Sequence, residues 1–275
     1  MITGVTALYC RRKGRVFVYG AGSDTDFSFR TPRLHGLRDR ILYYTGIKLA
    51  DGVVAQNKVQ EELCRRNLKK AAQVIPNGVA LGGAAESACD GRIVWVGALR
   101  RVKRPELFLE LAKRLPDLRF VLIGGAIGTE EAFAREIEAR AAHIPNVEAT
   151  GRVPHEAVQD HLRRAALLVN TSAVEGFPNV YLEAWRSGVP VVSFNDVDGL
   201  IAEERLGAIC RDTNEMAEQI RALSDRPDER DAMGRRAVGV IRERFSPAVI
   251  VKSYVAYFEQ LLAAKRNRAQ GGGTS

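Results

Sequence analysis

Two carboxylates stand eight positions apart around a glycine and a proline: Glu175-Gly176-Phe177-Pro178-Asn179-Val180, and then Glu183. Pro178 is placed to be the first residue of a short helix, and Gly188 to close it. The start of such a helix leaves backbone amides without intrahelical partners, here at Phe177, Asn179 and Val180, and carries partial positive charge. Phosphate binds readily at such a start, and Gly176 lets a ligand approach the backbone closely. One acid on each side of a bound anion suits a ligand with hydroxyls at both ends and a diphosphate between. A nucleotide-sugar has that form.

The elements that must hold these residues are legible on either side. Leu167-Leu168-Val169 is an apolar run that fits a buried strand, followed by a polar turn, Asn170-Thr171-Ser172. Residues 189–194 form a second buried strand rich in β-branched side chains. Upstream, strands at 93–99, 119–125 and 147–151 alternate with helices at 105–115, 130–142 and 154–165. Downstream, 199–211 returns towards the sheet. Helices follow at 215–224 and 227–245, and an amphipathic one at 247–266. This alternation predicts an α/β fold with a parallel sheet covered on both faces. Ligands then belong at the carboxyl ends of the strands.

The run E-G-F-P-N-V-Y-L-E-A-W-R-S-G-V-P-V-V resembles the donor-site signature of the retaining glycosyltransferases of family 4, also called group 1. The resemblance implies the GT-B architecture, two Rossmann-like domains facing across a cleft. It sets Glu175 against the transferred sugar and Glu183 against the ribose of the nucleotide. Trp95-Val96-Gly97-Ala98-Leu99-Arg100-Arg101-Val102-Lys103 is similar to the family's V-G-R-L-x-x-x-K, which implies that Lys103 holds the diphosphate. Ala98 stands where the family has an arginine, so Arg100 or Arg101 becomes the candidate second cation. The catalytic candidates are therefore Glu175 and Lys103. Gly97, Arg100, Arg101, Gly176, Phe177, Asn179, Val180 and Glu183 complete the donor-binding set. A lysine and a helix N-terminus in a water-poor cleft stabilise charge as it develops on a departing nucleoside diphosphate. This chemistry requires neither a metal nor a further cofactor.

Before the linker, residues 16–19 read as a strand, 37–50 as a helix, 52–55 as a strand and 57–68 as a helix. Val74-Ile75-Pro76-Asn77-Gly78-Val79 resembles the family's I-P-N-G-V segment at the end of the first domain. The expected organisation is a partial first Rossmann-like domain at 1–80, a linker at 81–90 and a nucleotide-sugar domain at 91–246. A helix at 247–266 crosses back to the first domain, before a disordered tail at 267–275. A Rossmann-like half needs roughly 100–200 residues, so the first domain is expected to be incomplete. The histidine that the family carries in that domain would fall near Gly22-Ser23, where this chain has none. Gly20-Ala21-Gly22 lacks the third glycine of a dinucleotide fingerprint, which argues against a dehydrogenase. Asp24 and Asp26 just after it read as turn formers or as ligand contacts.

The 275 residues are 46% hydrophobic and 27% charged, an ordinary globular composition. Cys10, Cys64, Cys89 and Cys210 show no C-x-x-C spacing, so neither zinc nor a disulfide framework is expected, and a reducing cytoplasm is the default. His35, His143, His155 and His161 are scattered and read as surface or capping residues. The net charge is +8, and residues 1–50 hold nine Lys/Arg against three Asp/Glu. Such a segment either faces an anionic membrane or acceptor, or shows ordinary surface arginines. No run has the length of a membrane span. The charges of the opening MITGVTALYC follow it, the wrong order for a secretory signal.

The expected function is transfer of a sugar from a nucleotide-sugar donor to a saccharide or lipid-linked acceptor with retention of configuration. It belongs with cell-envelope polysaccharide synthesis, at the cytoplasmic side of the membrane. Nucleic acid is not an expected partner. A non-catalytic nucleotide-sugar binding fragment is the alternative. A sugar-nucleotide epimerase shares the architecture, but the E-G-F-P-N signature argues against it.

Overall fold

The structure, a computed structural model, describes residues 2–28, 36–81, 89–128 and 130–271. His35, most of the expected linker and the end of the expected tail lie outside the described residues. The chain forms two compact units: Met1–Gly78 with Pro247–Ser275, and Val79–Ser246.

The first unit begins with α1 (Ile2–Arg12), β1 (Val18–Gly20), α2 (Leu37–Leu49), β2 (Gly52–Ala55), α3 (Lys58–Leu63) and β3 (Gln73–Val74). The strands are parallel in the order β1-β2-β3. β1 starts two residues later than the apolar run suggests. The Phe17 amide donates to the Asp51 carboxylate at 2.8 Å, and the Phe17 carbonyl accepts from Asp51 and Gly52. Phe27, Tyr43, Tyr44, Ile47 and Val53 fill the core of this unit. The helix Pro247–Gly271 belongs to it as well. The Tyr257 hydroxyl accepts from the Val53 amide at 3.1 Å, and Lys265 pairs with Asp51 at 3.3 Å. This helix runs past the expected end at Arg266, because residues 267–270 tolerate a helix and the glycine run begins only at Gly271. Among the described residues, no helix is long and apolar enough to cross a membrane.

The second unit contains β4 (Arg92–Val96), α4 (Pro105–Arg114), β5 (Phe120–Ile123), α5 (Glu131–Ala141), β6 (Val147–Gly151), α6 (His155–Arg164) and β7 (Ala165–Asn170). There follow α7 (Asn179–Arg186), β8 (Val191–Ser193), α8 (Leu200–Glu203), β9 (Gly207–Ile209), α9 (Thr213–Asp225) and α10 (Pro227–Val240). All six strands are parallel, in the order β6-β5-β4-β7-β8-β9.

Side chains alternate faces along a strand. Ile93, Trp95, Leu167 and Val169 pack in one core with Phe108, Phe120 and Ile137. Val94 and Leu168 pack in the other with Tyr181, Trp185 and Phe245. Both faces are covered, which is why these strands read as unbroken apolar runs. The chain enters at β4, moves outward to β6, and returns to β7 on the other side of β4. The strand order therefore reverses between β4 and β7, and the crevice at their carboxyl ends is where such sheets hold ligands.

Candidate active site

The loop after β4 carries Gly97 and Lys103. Gly97 donates to the Ile123 carbonyl at 3.0 Å. A Cβ on Gly124, whose φ is 151°, would fall 1.7 Å from the Gly97 carbonyl oxygen. The ends of β4 and β5 thus touch backbone to backbone, which only glycine permits. A short turn at Arg101–Lys103 follows, ended by Arg104 in the left-handed region at φ 51°.

The polar turn after β7 grips this loop. Thr171 is fully buried. Its hydroxyl lies 2.9 Å from the Lys103 carbonyl and 2.8 Å from that of Arg104, and it accepts from the Trp95 indole N–H at 3.0 Å. The Ser172 hydroxyl donates to the Val102 carbonyl at 3.2 Å, and the Ala173 amide donates to the same oxygen at 2.8 Å. Thr171 has no counterpart among the residues singled out from sequence. Its only sequence signal is a polar residue directly after a buried strand.

This grip brings Lys103 to Glu175. The ammonium lies 2.7 Å from both carboxylate oxygens. The Asn170 side-chain amide donates to Glu175 Oε1 at 2.9 Å. The Glu175 side chain is only 6% exposed and that of Lys103 30%. A carboxylate buried to this degree requires a cation and hydrogen bonds, and Lys103 and Asn170 supply them. Arg100 and Arg101 turn elsewhere. The Arg100 guanidinium lies 3.3 Å from Glu130, and the Arg101 guanidinium stacks 4.6 Å from the Phe133 ring centre. The Arg101 amide donates to Glu130 at 2.8 Å, and this bond, with Arg100 beside it, holds the Glu130 carboxyl below its ordinary range.

Pro178 precedes the helix rather than opening it. Its ψ of 113° is extended, so it is the N-cap and α7 begins at Asn179. A fixed proline φ is compatible with either position, and ψ decides between them. The first turn receives no side-chain cap. Tyr181, Leu182, Ala184 and Trp185 are buried, and the Phe177 ring packs inward against Phe245 at 5.7 Å. Phe177 therefore anchors the loop by its side chain. Gly188, at φ 72°, terminates the helix as the sequence suggests.

Glu183 lies on the partly exposed side of α7, 4.0 Å from His155 Nδ1 at the start of α6. Burial pushes its carboxyl above the ordinary range, while His155 and Arg186 pull the other way. His155, read from sequence as a surface or capping residue, is thus an ionisable neighbour of Glu183. A cavity of about 160 Å³ at the ends of β4, β5 and β6 is lined by Gly97, Gly124, Gly125, Arg152 and Val153 among others. Its walls are largely apolar, and Arg152 at its edge was not singled out by the sequence pattern.

Residues 90–226 match the family described as glycosyl transferases, group 1. The second unit belongs to the group 1 glycosyl transferases. The chain is 31% identical over 205 residues to a D-inositol 3-phosphate glycosyltransferase of Geodermatophilus obscurus, a match that covers 69% of this chain and 45% of that protein. The chain thus spans less than half the length of this curated relative. Among solved structures, sucrose-phosphate synthase from Thermosynechococcus elongatus aligns with a TM-score of 0.78 at 22% identity, over 95% of this chain and 72% of that one. Anabaena Alr3699/HepE, solved in complex with UDP, aligns with a TM-score of 0.77 at 16% identity, over 95% and 76%. These likenesses establish the α/β, GT-B fold expected from the sequence. In this group 1 glycosyltransferase domain, Gly97, Lys103, Glu175, Gly176 and the start of α7 all follow β4 or β7, the two strands between which the sheet order reverses.

Proposed function

We propose that the protein is a retaining glycosyltransferase that moves a sugar from a nucleotide-sugar to a saccharide or lipid-linked acceptor. The observation that carries the reading is the Lys103–Glu175 pair, held at the switch point of the sheet in the loop before an uncapped helix start. In this reading the diphosphate displaces part of the Lys103 contact with Glu175 and also meets the amides at the start of α7. When the bond from the anomeric carbon to the phosphate oxygen breaks, its electron pair stays on the nucleoside diphosphate. Lys103 and the helix start stabilise that charge without rearranging. Glu175, still held by Asn170, then faces the sugar. Glu183 accepts a ribose hydroxyl, and no metal or added cofactor takes part.

The same reading places the protein peripherally at the cytoplasmic face of a membrane, in cell-envelope polysaccharide synthesis. Its support is α1, which exposes Ile2, Val5, Leu8 and Tyr9 and ends in Arg11 and Arg12, with Lys13 and Arg15 just after it. Apolar and basic residues on one helix suit an anionic lipid interface.

The test is calorimetric titration with uridine, guanosine and adenosine diphosphate sugars, followed by product analysis with saccharide and lipid-linked acceptors. Saturable donor binding with release of nucleoside diphosphate supports the proposal. Binding without release would make the chain a nucleotide-sugar binding module, and absence of binding would overturn both.

A further inference from the structure

The first unit holds a second charged site, unrelated to the donor residues, all of which lie in the second unit. A cavity of about 590 Å³ opens where α1, the end of α2 and the helix Pro247–Gly271 converge. Arg11, Lys48, Lys70, Lys265 and Arg268 line it, and Asp51 is the one carboxylate among its lining residues. Asp51 directly precedes β2, so the cavity lies at the amino ends of the strands, away from the carboxyl ends where these sheets hold substrates.

Two of the cations are fixed by the fold. The Lys70 ammonium donates to the Lys48 carbonyl at 3.1 Å and to the Ala50 carbonyl at 2.5 Å, closing the C-terminus of α2. Lys265 donates to the Arg15 carbonyl at 2.6 Å and pairs with Asp51 at 3.3 Å. Asp51 is committed further, because it accepts from the Phe17 amide. Arg11, Lys48 and Arg268 have no acidic partner among the described residues. Burial lowers the affinity of the Lys70 ammonium for its proton; Cys64 and Asp51 pull the other way, and the like charge of Arg268 adds a smaller lowering. Cations crowded around a single committed carboxylate repel one another, and a multivalent anion relieves that repulsion. Two guanidinium groups and three ammonium groups match the several acceptor oxygens of a phosphate. The volume exceeds the need of one phosphate and lies in the range of small-ligand sites.

We infer that this cavity binds a phosphate-bearing ligand, either a free diphosphate or the phosphate headgroup of a lipid. The inference stands apart from the donor site, so it is tested in Lys103→Ala chains, where donor-side phosphate binding is weakened. One arm titrates inorganic pyrophosphate at low and high salt. The other measures co-sedimentation with phosphatidylcholine vesicles with and without phosphatidic acid. The expected result is salt-sensitive binding in at least one arm that falls roughly tenfold or more in the Arg11→Ser/Arg268→Ser variant, the scale of lost charge-paired contacts. Lys48→Ser, at the exposed end of α2, provides an independent variant should the double variant fold poorly. Binding of pyrophosphate identifies a soluble ligand, and binding only of phosphatidic acid vesicles identifies a headgroup. No binding in either arm, or binding unchanged by these variants, overturns the inference.

Discussion

Lys103 and Glu175, 72 positions apart in the chain, form a two-pronged ion pair, with the ammonium 2.7 Å from each carboxylate oxygen. The pair satisfies a carboxylate that is nearly removed from solvent. The cation proposed to receive the leaving phosphate is therefore also the partner of this carboxylate.

Removing the lysine should reveal both roles. Lys103→Ala leaves Glu175 with only Asn170 and is expected to cost about 1–3 kcal/mol of stability, the penalty for a buried polar group that loses its partner. Turnover should fall roughly 10²–10³-fold, the effect of losing one preorganised donor. Adding Glu175→Gln should restore stability but not turnover. Denaturant unfolding and steady-state rates on both variants decide this, and a double variant as unstable as the single one would refute the pairing argument.

Thr171 should matter through the loop that it grips. Thr171→Val keeps the shape but removes the acceptor for Trp95 and the donor to the Lys103 and Arg104 carbonyls. Turnover is expected to fall roughly tenfold or more, because small displacements of a positioned group carry large rate costs. Thr171→Ser should retain most of the rate. A loss in Thr171→Ser with none in Thr171→Val would show that the methyl group, not the hydroxyl, is what counts.

The two acids should separate by ligand. Glu183→Ala is expected to weaken binding of the free nucleoside diphosphate, and Glu175→Ala mainly that of the intact nucleotide-sugar. Calorimetric titration of each variant with each ligand reads this directly. Equal losses throughout would remove the assignment of Glu183 to the ribose and Glu175 to the sugar.

Glu183 also sets a pH dependence. Its carboxyl is raised in the folded chain, chiefly by burial. Between the ordinary value of 4.5 and the raised one, the folded state binds more protons than the unfolded state. Stability therefore declines as pH rises through that window. Glu183→Gln removes the ionisation, so it should gain thermal stability relative to the parent chain at pH 7 and lose that advantage near pH 4. A melting difference that is the same at both pH values would contradict the burial effect.

Much of the second unit was legible in the sequence because its signals are local. β-branched apolar runs bounded by glycine mark strands that are buried on both faces. Leu167-Leu168-Val169 in β7 and Val191–Ser193 follow from that pattern, and the termination at Gly188 follows from the ease with which glycine adopts positive φ. The acids Glu175 and Glu183 were legible because an eight-residue spacing around a glycine and a proline is itself a local arrangement.

What spacing could not decide was which side chains meet. Arg100, Arg101 and Lys103 occupy one short turn, and their sequence positions alone give each a claim on the phosphates. The tertiary structure separates them. Glu130 and Phe133, from the segment before α5 and from α5 itself, draw off the two arginines, while Thr171 and Ser172 hold the turn so that Lys103 faces Glu175. Pro178 lies outside the helix because its ψ is set by the incoming loop, which Phe177 anchors in the core. The basic cavity is likewise assembled from segments at opposite ends of the chain, Arg11 near the start and Lys265 and Arg268 near the finish. Local sequence determined which elements form, because hydrogen bonding and the burial period act over a few residues. Ion pairs and cavities depend on how those elements pack, so only the folded chain decided which charges meet.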